Sequence, residues 1–187
     1  MTLQMNNSAK NLEAIFFAKH NKERLDAMRA EKQADSERED LTRASGITEE
    51  DVLDELREVG IRPQTLAALS LVPLVQVAWA DGVLDHKERV AILSAVHESG
   101  IEKGSPSYEV LESWLDQAPE DDVVNAWADY VGALSKNMEK AAFASLRRHV
   151  LDMANKVADA SGGFLGLGNK TSDVEQEVLD KLTRAFE

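Results

Sequence analysis

A pattern that occurs twice sets the terms on which this chain can fold. Ala80-Asp81-Gly82-Val83-Leu84-Asp85-His86-Lys87-Glu88 follows one apolar run and opens a second helix-forming one. Near the C-terminus, Ala158-Asp159-Ala160-Ser161-Gly162-Gly163 leads through a Gly-rich stretch to Ser172-Asp173-Val174-Glu175, which again opens a helical pattern. Each copy reads as a helix ending in Ala-Asp, a Gly loop, then a capping residue with Glu three positions on. Two such elbows packed face to face gather carboxylates. Carboxylates in a folded protein need a cation, a proton or a basic partner to offset them.

The rest of the chain is helix-forming. Aromatic residues make up 5%, with 10 Gly and 4 Pro in 187 residues, and no segment alternates apolar and polar residues between turn signals as a strand does. The spacing predicts an all-α helical bundle of about seven or eight helices with an internal pseudo-repeat. Residues 1–46 form a charged N-terminal helical arm and residues 47–187 the helical domain. The arm's helix is expected over 8–43, with Leu12, Ile15, Phe16, Leu25 and Met28 as a thin apolar stripe. Such an arm is either a solvated helix or a surface for a protein partner or a second copy of the chain.

Within the domain, Thr48 and Asp51 look like a capping box for a short helix ending at Gly60. A helix from Pro63 to Ala80 is apolar on nearly every side, which places it inside the bundle, and Pro73 is expected to kink it. Asp85 caps the next helix, with Val90, Ile92, Leu93 and Val96 inward. Ser105 or Ser107 opens another, Pro119 starts a further one, and Asn137 caps a long helix to Asp159. Ser172 caps the last, with Val174, Val178, Leu179, Leu182 and Phe186 as its apolar face.

Charge excludes some partners. The net charge is −13, and residues 63–187 carry 11 basic against 20 acidic side chains, so neither nucleic acid nor an anionic membrane surface fits as the main partner. With no cysteine there is no disulfide, thiolate metal site or thiol nucleophile. The first thirty residues lack the basic and apolar regions of a signal peptide, and Leu66 to Ala80 is too short for a membrane span, so a cytoplasmic protein is the expectation.

The capping boxes account for Asp85, Glu88, Ser172 and Glu175 without any ligand. Asp81 and Asp159 are different, because they fall at helix C-terminal ends, where the dipole disfavours negative charge. Either nearby Lys87, Arg89, Lys156 or Lys170 neutralises them, or a cation does. The metal ligands would be oxygens of Asp81, Asp85, Glu88, Asp159 and Glu175, and an all-oxygen set favours Ca²⁺, Mg²⁺ or Mn²⁺ over Zn²⁺. An EF-hand does not fit, since Val83 and Ile92 fall at ligand positions, and no Glu-x-x-His supports a di-iron site. The stretch Gly163 to Thr171 lacks the Gly-Lys adjacency of a phosphate loop; Phe164, Leu165 and Leu167 are expected to fold back on the bundle. No nucleophile and base are grouped, so no enzymatic activity is expected.

The Ala80-Asp81-Gly82 turn with Glu88, and the second arm Ala158-Asp159 with Ser172 and Glu175, resemble the TerB-like family, named for a protein of bacterial tellurite-resistance operons. The resemblance spans about Leu66 to Phe186. The second copy departs from the first, with nine extra residues in its loop and Ala-Ser after its Asp. The resemblance implies an all-helical bundle with an internal pseudo-repeat, a place in tellurite or other chemical stress responses, and divalent-metal binding by the paired acids Asp81, Glu88, Asp159 and Glu175.

Overall fold

The structure is a computed structural model. It describes residues 2–161 and 172–187, with side chains for residues 19–160 and 172–187. The described residues form eight α-helices and no strand: α1 (Thr2–Ser45), α2 (Glu50–Glu58), α3 (Val72–Ala78), α4 (His86–Glu98), α5 (Pro106–Asp116), α6 (Asp121–Asn137), α7 (Lys140–Ser161) and α8 (Asp173–Ala185), with a 3-10 helix over Leu66–Leu71. An all-α bundle is what the sequence pattern requires. No helix among the described residues is long and apolar enough to cross a membrane.

Two compact units divide the chain, Met1–Asp40 and Leu41–Glu187. The division falls a few residues before the predicted boundary at 46, because the last turn of α1 already belongs to the second unit's core. Leu41 and Ile47 are completely buried there, and Gly46, at φ 74°, turns the chain between them. The first unit is the remainder of α1, a helix longer at its start than the expected span over 8–43. The apolar stripe residues Leu12, Ile15 and Phe16 lie outside the residues whose side chains are described.

In the second unit, α3 is the centre. Val72, Leu74, Val75 and Val77 are wholly buried, as a helix whose one polar residue is Gln76 must largely be. The expected single helix from Pro63 to Ala80 is instead a 3-10 helix followed by α3, with Pro73 at the first turn of α3. The reason lies in the proline ring. Pro73 has no N–H to give, and restarting the helix at Val72 puts that missing donor where no intrahelical bond is needed.

Helix ends follow local chemistry. Gly60 and Gly100 adopt φ of 80° and 73°, and the residue after each donates back across the last turn, Ile61 to the Leu56 carbonyl at 2.8 Å and Ile101 to the Val96 carbonyl at 3.2 Å. This is the Schellman arrangement, which only a residue tolerant of the left-handed region closes without strain. Ser105, rather than Ser107, caps α5. Three other expected caps differ. Glu49, not Thr48, precedes α2. Glu120 precedes α6, which starts at Asp121, two residues after the expected start at Pro119. Asn137 ends α6 instead of opening α7, its amide donating to the Glu49 carboxylate at 3.0 Å and to the Ala133 carbonyl at 2.9 Å.

The pseudo-repeat is visible in the packing. α3 and α7 lie against each other, α4 packs on α3 and α7, and α8 packs on α3 and α7. Each elbow's second helix therefore rests on the first helices of both. The opposite end of α8 is held by Phe186, whose ring meets Trp127 edge-on at 5.8 Å and Phe143 at 5.8 Å. Val90 and Val174, expected inward, are 51% and 47% exposed. Val90 sits two positions from buried Ile92, about 200° around the helix, so both cannot face the core. Leu74→Ala is expected to cost about 2–5 kcal/mol and Val90→Ala less than about 0.5 kcal/mol; urea unfolding of the two variants checks the contrast.

Candidate functional site

The first elbow is a tight turn between α3 and α4. The Gly82 N–H donates to the Trp79 carbonyl at 2.9 Å, and Gly82 supplies the positive φ of 86° that closes it. The Asp81 carboxylate accepts from the Val83 N–H at 2.9 Å. That side-chain turn gives Asp81 a structural role the sequence did not disclose. It also moves Asp81 off the helix end, since α3 stops at Ala78. The Asp85 carboxylate then accepts from the Glu88 N–H at 2.8 Å, while the Glu88 carboxylate accepts from the Asp85 N–H at 2.8 Å. Both halves of the predicted capping box are present.

The second elbow repeats the device. Ser172 Oγ accepts from the Glu175 N–H at 3.2 Å, and the Glu175 carboxylate accepts from the Ser172 N–H at 2.6 Å. Asp159 lies in the last turn of α7 and is exposed. The stretch from Gly163 to Thr171, with Phe164, Leu165, Leu167 and Lys170, lies outside the described residues.

Burial distinguishes the two capping glutamates from ordinary caps. Glu88 and Glu175 are 4% and 6% exposed, and the only other buried polar residue of the described set is Ser107. Loss of solvent is the main cause that pushes the Glu88 carboxyl up from its ordinary 4.5 to about 7. The Asp85 N–H opposes that shift, and the charges of Asp85, Glu175 and Asp81 add to it. Glu175 belongs to the other elbow, so the two elbows are close enough for one carboxylate to feel the next. No basic side chain is among the main influences on the Glu88 proton.

Two of the four candidate counter-charges are engaged elsewhere, and Lys170 lies outside the described residues. Arg89 pairs with Asp116 at 2.6 Å and Lys156 with Glu98 at 3.7 Å. Neither Asp81 nor Asp159 is in an ion pair with a described residue. Among the described residues, no three His, Asp or Glu side chains are grouped as a metal ion requires. The elbows thus bring Asp81, Asp85, Glu88 and Glu175 into one electrostatic neighbourhood, with Glu88 and Glu175 committed to their caps.

Three further features were not legible in the sequence. Trp79, beside the first elbow, donates its indole N–H to the Trp114 carbonyl at 2.9 Å and so ties the turn to the end of α5. Glu55 on α2 and Asp129 on α6 meet carboxyl to carboxyl, which raises the Glu55 pKa, with Asp51 and Glu58 adding to the repulsion. An open groove of about 610 Å³ is lined by apolar side chains, Pro63, Leu66, Trp127, Tyr130, Leu146 and Phe186 among them, and burial raises the Tyr130 phenol. Each depends on residues far apart in the chain, for which periodicity carries no signal.

No protein-family model matches the chain, and neither a curated protein nor a solved structure matches it.

The raised Glu88 pKa has a definite sign in stability. Between pH 4.5 and about 7 the unfolded chain has released this proton and the folded chain keeps it. The contribution is therefore fully present below 4.5 and is lost as pH rises through 7. Glu88→Gln keeps an acceptor for the Asp85 N–H and removes the charge. In chelator-treated protein at pH 8 it is expected to raise the melting temperature by about 2–4 °C, and the gain should vanish below pH 4.5; thermal melts across this range check it.

Proposed function

We propose that the chain is a non-enzymatic helical module of the TerB-like type, in which a divalent cation taken up between the two acidic elbows sets the shape presented to a protein partner in a stress-response or signalling role. The observation that carries this reading is the pair of buried capping glutamates, Glu88 and Glu175, one from each elbow, with the second raising the pKa of the first. A hard cation relieves that repulsion better than protonation does at pH above 7. Ca²⁺, Mg²⁺ and Mn²⁺ suit an all-oxygen set of Asp81, Asp85, Glu88, Asp159 and Glu175. The donor chemistry fits. The grouping is not preformed, because Glu88 and Glu175 each spend an oxygen on a backbone N–H. Uptake therefore draws on the second carboxylate oxygen of Glu88 and on Asp81 and Asp159, and it acts by neutralisation rather than as a rigid cage.

The reading places the protein in the cytoplasm and assigns it no catalytic residue. The resemblance in the Ala80-Asp81-Gly82 and Glu88 pattern supports the family assignment, and the packing of α4 and α8 on α3 and α7 supports the pseudo-repeat on which it rests. A second reading, a metal-free interaction domain that works through the arm, is favoured by one observation. Leu25 and Met28 on α1 are 52% and 58% exposed.

The cation reading is tested by melting chelator-treated protein with and without excess Ca²⁺, Mg²⁺ or Mn²⁺ at pH 7.5. One of the ions is expected to raise the melting temperature of the wild type, and Asp81→Asn with Asp159→Asn is expected to abolish the rise. Identical wild-type curves with and without all three ions overturn the reading.

A further inference from the structure

We infer that the apolar groove of the second unit binds an uncharged, largely apolar small molecule bearing a carbonyl, which the Tyr130 hydroxyl holds by a hydrogen bond. The inference goes beyond the cation reading and is independent of it. The groove lies wholly within the second unit, where the last turn of α1, the 3-10 helix, α6 and α7 meet and Phe186 follows α8. Its volume of about 610 Å³ falls within the roughly 300–1,000 Å³ of small-molecule sites, which are mostly apolar with a few placed polar groups. Trp127, Val131, Val150 and Phe186 in its wall are buried, so the core itself fixes the shape of the recess. Apolar surface brought into such a recess leaves water at a gain.

Charge and hydrogen bonding identify the occupant. No residue lining the groove is ionised at neutral pH. An ion entering it gives up hydration with no opposite charge in the lining to replace it, and the net charge of −13 further opposes an anion. The occupant is therefore uncharged. Three hydroxyl residues border the groove, Ser45, Ser70 and Tyr130. Ser45 Oγ donates to the Leu41 carbonyl at 2.7 Å and accepts from the Ile47 N–H at 3.1 Å, and Ser70 Oγ donates to the Ala67 carbonyl at 2.7 Å. The Tyr130 hydroxyl bonds no described residue, and since no buried side-chain oxygen among them lacks a partner, it stays open to water. Burial raises the phenol, so it keeps its proton and remains a donor. A free donor, in a groove also lined by the rings of Trp127 and Phe186, suits a carbonyl on a flat apolar body. An extended peptide brings several backbone amides to a wall with one free donor, and their lost hydration would go uncompensated.

The probe is prodan, an uncharged naphthyl ketone whose emission moves to the blue in apolar surroundings, titrated into the full chain in the presence of chelator. Wild type is expected to bind it saturably, one per chain, and to release it to acetylnaphthalene but not to the anion naphthoate. Tyr130→Phe should weaken the binding of acetylnaphthalene by about 2–10-fold. The same variant should leave ethylnaphthalene, which has no carbonyl, unchanged. Ala67→Trp, at an exposed position on the groove wall, should fill the recess and abolish prodan binding, and Leu134→Trp provides a second block from α6. Thermal melts establish that each variant is folded. No saturable binding by wild type, competition by naphthoate equal to that by the ketone, or a ketone affinity untouched by Tyr130→Phe overturns the inference. Prodan binding that survives in the folded Trp variants overturns it as well. So does a wild type that self-associates and loses prodan as it does, since the groove then belongs to a second copy. None of these outcomes alters the melting response to divalent ions, so the two proposals fail separately.

Discussion

Two glutamates that leave water to cap their helices hold the elbow end of the second unit together. Glu88 and Glu175 each satisfy a backbone N–H that α4 or α8 would otherwise leave open, and each does so almost fully buried. A capping carboxylate on a surface helix keeps its hydration and is offset by the helix dipole. Here the dipole and one N–H are set against desolvation and three neighbouring acids, and for Glu88 the unfavourable side wins, moving its carboxyl to about 7. The elbow is thus built on a group that is half protonated near neutrality. Anything that supplies positive charge, a proton or a cation, relaxes the same repulsion.

That coupling follows from the packing. α4 and α8 both rest on α3 and α7, so the N-terminal turns carrying Glu88 and Glu175 converge on one neighbourhood. The largely apolar α3, with half-buried Gln76 its one polar residue, favours this arrangement, because neighbouring helices cover its apolar sides. Asp81 and Asp85 stay exposed, where their charge is tolerable and their side chains order the turn. The acids therefore divide into an exposed outer pair that shapes the loop and a buried inner pair that caps the helices.

Much of this was legible in the residues themselves. Both capping boxes, the glycine ends of α2 and α4, and the central place of α3 follow from local pattern, since each rests on contacts within a few positions. The sequence misassigned what tertiary context decides. Pro73 restarts a helix instead of kinking one, Asn137 reaches across to Glu49 instead of capping α7, and Val90 faces out because Ile92 takes the core. In the sequence Asp81 stands as an acid in need of a counter-charge; in the fold it also accepts a hydrogen bond from the Val83 N–H, which orders the turn. The approach of Glu175 to Glu88, the feature on which the functional reading turns, joins residues from the two halves of the pseudo-repeat. Repetition of the motif suggested it, but only the fold brings the two together.

The shared electrostatics of the two elbows is open to one direct reading. Carboxyl-carbon NMR of Glu88, followed across pH in chelator-treated protein, should give a midpoint near 7, and replacing Glu175 by Gln should move that midpoint down. A Glu88 midpoint near 4.5, or one that ignores the loss of the Glu175 charge, would contradict the account.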